Sequence, residues 1–159
     1  MNGSGATLKY PDFLSSAKRH DQACKVLQDK LDTYSTDEYD ERFKNLLASL
    51  FYLSGYIVEC SLKFKIFEAF DYDAELEVGE AACADFGINY KRKIKTHDFQ
   101  KLQNYLSSKL SDVSYESSEG AINDLLELWD PIVRYKCQDL EYGEVKAFYS
   151  HANYFLRIM

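Results

Sequence analysis

At 159 residues the chain suits one domain, 1–159, with a single buried core, since domains run to roughly 100–200 residues. Its 46% hydrophobic and 28% charged residues exclude a disordered or fibrous chain, and 7 Gly with 2 Pro leave room for long helices. A net charge of −7 excludes a protein that coats duplex nucleic acid by bulk positive charge, while a local basic patch stays compatible with it.

The first ten residues, MNGSGATLKY, hold no cationic start leading into an apolar run, so no secretory signal is expected and the chain reads as cytoplasmic. The cysteines at 24, 60, 83 and 137 lack CxxC spacing and read as reduced thiols rather than a disulfide framework. His20, His97 and His151 are scattered among residues that are not ligands, so no metal site is expected. The longest apolar run, Leu46 to Val58, falls short of the roughly 18 residues of a membrane span and is flanked by charges. It is expected to be a central bundle helix, apolar on every face, with no membrane contact.

In chain order, a first helix begins at Pro11, a favoured opening residue, and sets Phe13, Ala17, Cys24, Leu27 and Leu31 on one stripe. A second opens with a capping-box pattern at Ser35 and Glu38 and runs to about Phe70. A short helix is expected around Glu77 to Ala84, stopped at Gly87. Thr96 is the expected N-cap of a third main helix carrying Phe99, Leu102, Leu106 and Leu110, with Asp98 in its first turn. A fourth, from about Ser118 to Asp130, presents Ile122, Leu125, Leu126 and Trp129 and stops before Pro131. A fifth sets Val145, Phe148, Tyr149, Ala152, Phe155 and Leu156 on one face. No segment alternates as a strand does, so the fold class is all-α, an up-and-down bundle of about five helices.

The sharpest local feature is Lys91, Arg92, Lys93 and Lys95 just before Thr96 and His97. Cations beside the free amides of a helix start attract phosphate, so these residues with Thr96 form a candidate nucleotide or RNA phosphate site; a solvated, flexible basic loop is the alternative. Arg92 and His97 also have the residue types of a metal-free RNA-cleaving pair, His as general acid or base and Arg on the phosphorane charge. Against this stands a locally bonded His97 and a solvated Arg92. Glu59 and Lys63, four apart, read either as a surface ion pair or as the polar lining of an interhelical groove that Arg134 and Tyr135 close. Tyr52, Tyr56, Tyr149 and Tyr154 are helix-interface residues or base-stacking platforms. No Gly-rich phosphate loop, GxSxG or HExxH occurs, and no cofactor is expected.

Taken together, FLSSAKRHDQACKVL, LFYLSGYIVECSLKFKIF with Glu59 and Lys63 in register, THDFQKL at 96–102, IVRY at 132–135 and EVKAFYSHANYFLRI resemble, in that order, the segments of the HEPN domain family. The resemblance implies a helical bundle, often a homodimer, that binds nucleotide or RNA and is paired with a small nucleotidyltransferase in toxin–antitoxin or defence systems. Some such proteins are metal-independent ribonucleases with an Arg-x4-6-His motif, which here falls on Arg92 and His97, with Lys93 after the arginine. Three functions follow as expectations: a nucleotide- or nucleic-acid-binding module, a ribonuclease toxin, or a subunit that only docks its protein partner.

Overall fold

The computed structural model describes residues 6–136 and 139–159. Pro11 opens α1 (Pro11–Leu31), because a proline at the first helical position loses no hydrogen bond, and Ala17, Cys24 and Leu31 of the expected stripe are buried. Phe13 and Leu27 pack against the same core, half-buried. On the opposite face Lys18, Arg19, Gln22 and Lys25 are exposed and Gln28 is half-buried, while the Asp21 carboxylate accepts from the Tyr149 hydroxyl at 2.9 Å and the Asn153 amide at 2.7 Å.

The capping residues Ser35 and Glu38 do not open the long helix. Glu38 takes both the amide N–H of Ser35 at 2.9 Å and its hydroxyl at 2.8 Å, and so closes a separate 3-10 turn, Thr36–Glu38. The long helix α2 (Glu41–Ala69) starts instead on Asp40, whose side chain accepts from the Phe43 amide at 3.0 Å. It ends where Asp71 enters the left-handed region at φ 53° and the Tyr72 amide returns to the Phe67 carbonyl at 3.0 Å.

Packed against α1 and the helices Phe99–Ser107 and Tyr142–Arg157, α2 buries every residue from Ile57 to Phe64. At 29 residues it is long and apolar enough to cross a membrane, which the apolar run alone understates, yet 61% of its most apolar window is buried inside the bundle. Its burial is that of a core helix.

Helix α3 (Glu80–Asp85) starts three residues later than expected and stops before Gly87, whose φ of 74° favours glycine. A π-helical turn, Tyr90–Ile94, leads to α4 (Phe99–Ser107), which ends before Leu110. Helix α5 (Gly120–Leu128) is shorter than its apolar stripe. Trp129 follows the helix in extended backbone and is still buried, and a 3-10 turn, Pro131–Arg134, comes next. All six apolar positions expected of the last helix are buried in α6 (Tyr142–Arg157). The described residues thus form an all-helical bundle of six α-helices and shorter turns, with no strand and one isolated bridge between Lys9 and Glu77. Of the cysteines, Cys24, Cys60 and Cys83 are free and buried, and Cys137 lies outside the described residues.

Candidate functional site

Along the apolar α2 one polar stripe stands out: Asn45, Ser49, Tyr52, Tyr56, Glu59 and Lys63 recur at alternating spacings of four and three, which stacks them on one face. The stripe passes from exposed Asn45 and Ser49, through half-buried Tyr52 and Tyr56, to Glu59 and Lys63 at 3% and 8% exposure. Lys63 Nζ donates to Glu59 Oε1 at 2.7 Å, so the i, i+4 pair is buried rather than on the helix surface. The second carboxylate oxygen accepts from His97 Nδ1 at 2.8 Å, bridging 38 residues of sequence. With both oxygens engaged, the desolvation cost of the buried carboxylate is offset from two sides. Bonded through Nδ1, the half-exposed His97 ring leaves Nε2 without a partner among the described residues.

Tyr56 is the hub of the stripe. Its ring meets His97 edge-on at 6.2 Å, His20 at 5.6 Å, Trp129 at 5.1 Å and Tyr52 at 5.0 Å between centroids. Burial first, then the Tyr52 hydroxyl, push its phenol well above the ordinary range, so it acts as a neutral hydroxyl. Across from it, burial and then the Arg19 charge hold His20 below its ordinary pKa of 6.5, against an opposing pull from Glu59. Arg19 and His20 thus reach this cluster from α1, His20 also meeting the Ser16 hydroxyl at 3.4 Å.

Trp129 locks the outer end. Its indole N–H donates to the Tyr52 carbonyl at 3.1 Å, and its ring fills the notch left by Gly55, where a Cβ would stand 2.0 Å from the indole. This contact brings the Pro131–Arg134 turn onto α2. Arg134 lies 4.6 Å from the Tyr135 ring centroid and against the Tyr52 hydroxyl, which raises its pKa further and favours the charged form.

Two hollows flank the stripe. The larger, about 900 Å³, lies between the start of α4 and α5; His97 and Trp129 line it, and Asp98, Glu116, Glu127 and Asp130 make it acidic. Among the described residues no three metal-ligating side chains converge. The smaller, about 400 Å³, lies between α2 and the Pro131–Arg134 turn, with Asn45, Ser49, Tyr52, Arg134, Tyr135 and Lys136 in its wall.

The basic segment forms a π-helical turn, Tyr90–Ile94. Asn89 caps it, accepting from the Arg92 amide at 3.1 Å, and the π-helical turn carries Lys91, Arg92 and Lys93 outward, with Lys93 Nζ 5.7 Å from the Tyr105 ring centroid. No acidic side chain among the described residues pairs with these three or with Lys95. One sequence expectation fails here. The N-cap of α4 is Asp98, not Thr96: Asp98 accepts from the Lys101 amide at 3.0 Å, while the Thr96 hydroxyl accepts from the Asp98 amide at 3.2 Å. A carboxylate therefore already takes one of the helix amides assigned to phosphate. Nor does any hydrogen bond or ion pair join Arg92 to His97; the partner of His97 is Glu59.

Glu59, Lys63 and His97 are thus one contact set, and Arg134 and Tyr135 join it through Tyr52 and Tyr56. Sequence reasoning passed over Ser49, Asn45, Lys136 and the place of Trp129, although the four-and-three recurrence of polar residues in an apolar helix marks the first two. Compared with known proteins, the chain matches no family model, no curated protein and no solved structure.

Proposed function

We propose that this chain is a nucleotide- or nucleic-acid-binding helical module of the HEPN kind, working as a homodimer beside a nucleotidyltransferase partner. The observation that carries the reading is the π-helical turn: Lys91, Arg92, Lys93 and nearby Lys95 are exposed and without acidic partners in a chain of net charge −7. Three unneutralised cations on one turn and a fourth just after it, in an otherwise acidic protein, supply the local electrostatics that a phosphate backbone needs. Side chains lead this contact, because the Asp98 carboxylate stands at the start of α4 and takes its Lys101 amide.

A second reading, a metal-independent ribonuclease, is favoured by the Glu59 to His97 bond at 2.8 Å. A carboxylate on Nδ1 fixes the ring tautomer and leaves Nε2 to take or give a proton at a ribose hydroxyl or a leaving oxygen. Arg92 makes no hydrogen bond or ion pair to His97 or Glu59.

One experiment tests both: mixed RNA incubated in EDTA with wild type, with Lys91→Ala/Arg92→Ala/Lys93→Ala/Lys95→Ala, and with His97→Ala. The quadruple variant is expected to keep its helicity and lose salt-sensitive binding, its log–log salt slope falling by about 3, at about 0.7 per phosphate contact on a single strand. Unchanged binding removes the turn from the site. Cleavage by wild type that His97→Ala abolishes establishes the second reading, and intact RNA ends it.

A further inference from the structure

We propose that the hollow between α2 and the Pro131–Arg134 turn is a binding pocket for a nucleoside monophosphate, separate from the cationic turn. It rests on the nucleotide-binding reading and adds to it a place and a ligand class. Size comes first: about 400 Å³ lies within the range of pockets that enclose a small organic ligand, roughly 300–1,000 Å³.

Charge then selects the ligand. The chain holds 26 Asp and Glu, and the larger hollow has four carboxylates in its wall, yet this one has none and has two cations, Arg134 and Lys136. An anion is therefore repelled by the large groove and attracted to the small one. The Arg134 fork, a guanidinium that is always charged, suits two oxygens of one phosphate, with Lys136 as a second point charge.

The remaining walls suit an aromatic base rather than a bare anion. Tyr135 is 74% exposed, an uncommon state for a large aromatic residue, with one face near the Arg134 guanidinium. Such a ring offers a stacking platform to a purine while Arg134 reaches the attached phosphate. Ser49, whose hydroxyl donates to the Asn45 carbonyl at 2.9 Å, keeps acceptor capacity for a base edge. Ala48 and Val133 complete an apolar floor between them.

The test is calorimetric titration of the full chain with AMP, adenosine, inorganic phosphate and a 5′-phosphorylated tetranucleotide. It is run on wild type, Arg134→Ala, Tyr135→Ala and the quadruple cationic-turn variant. AMP is expected to bind wild type and the quadruple variant equally, and about fivefold or more weaker to each single variant, the lower end of the effect of losing a stacked base. Adenosine and phosphate are each expected to bind at least about tenfold weaker than AMP, because each uses half of the pocket. Both single substitutions are at exposed side chains, and unchanged melting temperatures verify that the fold is intact. A tetranucleotide that binds more tightly than AMP and loses affinity in the same two variants places an RNA 5′ end in the pocket; equal affinities place the free nucleotide there. Absence of AMP binding, a loss below fivefold in either single variant, or phosphate binding as tightly as AMP overturns the proposal. Loss of AMP binding in the quadruple variant alone overturns it too, while RNA binding that the quadruple variant retains fails the cationic turn and leaves the pocket standing.

Discussion

Gly55→Ala puts the seating of Trp129 on α2 to the test. Replacing a glycine inside a helix by alanine ordinarily stabilises by about 1 kcal/mol, through lower chain entropy in the unfolded state. Here the new Cβ would stand 2.0 Å from both Cε2 and Nε1 of Trp129, and 2.4 Å from Cδ1. The indole must retreat by about 1 Å to reach even the shortest tolerable contact. It is 5% exposed, stacked on Phe99 at 4.8 Å and bonded to the Tyr52 carbonyl at 3.1 Å, so even a retreat toward the adjoining hollow disturbs these contacts. Overpacking costs about 1–3 kcal/mol and the weakened hydrogen bond about 1, against the gain of about 1 in helix propensity. The net is a loss of about 1–3 kcal/mol, or a melting temperature lower by roughly 2–12 °C for a domain of this size. Because Trp129 is the single tryptophan, its fluorescence reports the displacement directly as an emission shift to longer wavelength. In a Trp129→Ala background the same alanine meets empty space and is expected to stabilise by about 1 kcal/mol. An equal effect of Gly55→Ala in both backgrounds, or a raised melting temperature with unshifted emission, refutes the notch.

Two further perturbations address the polar stripe. Glu59→Met leaves Lys63 buried without its carboxylate and is expected to cost about 3–5 kcal/mol in urea unfolding, with Glu59→Met/Lys63→Met recovering much of the loss; no recovery in the double variant shows that the pair is not what the burial must satisfy. His20 is held below 6.5 in the folded chain, chiefly by burial, so the unfolded chain takes up the proton first as pH falls. Its contribution is complete above about pH 6.5 and is lost as pH drops toward the folded pKa, reduced in size by its partial exposure. The stability gap between wild type and His20→Gln is therefore expected to shrink in thermal melts from pH 7.5 to pH 5, and a constant or widening gap contradicts the assignment.

Which contacts are legible in the sequence follows from their range. Helix faces are local: six apolar residues at three-and-four spacing in α6 all turn inward because one face of a helix meets one core. Helix starts are less so, because they depend on which of several competent acceptors wins. Ser35 and Asp40 are both competent caps, as are Thr96 and Asp98; in each case the aspartate takes the helix amide, while the hydroxyl residue bonds a nearby carboxylate or the aspartate's own N–H. The site is the least local. Arg92 and His97 are close in sequence, yet the turn leaves Arg92 at the surface while His97 reaches back to a carboxylate in the buried core of α2. Sequence neighbours parted by a turn need not act together, and nothing at residue 97 announces Glu59 as its partner. What the sequence does carry is the cost side of such contacts. A glycine within a helix gives up about 1 kcal/mol, and a glutamate and lysine within an apolar one require burial with partners. Gly55, Glu59 and Lys63 each violate the local preference of α2, and each is where a distant element docks or a buried pair must be satisfied: Trp129 in the notch, His97 on the carboxylate, and Lys63 closing the pair. Local misfits on a core helix therefore mark the positions at which the rest of the chain is received, and the docking partner becomes identifiable only once the loops before α4 and after α5 are placed against it.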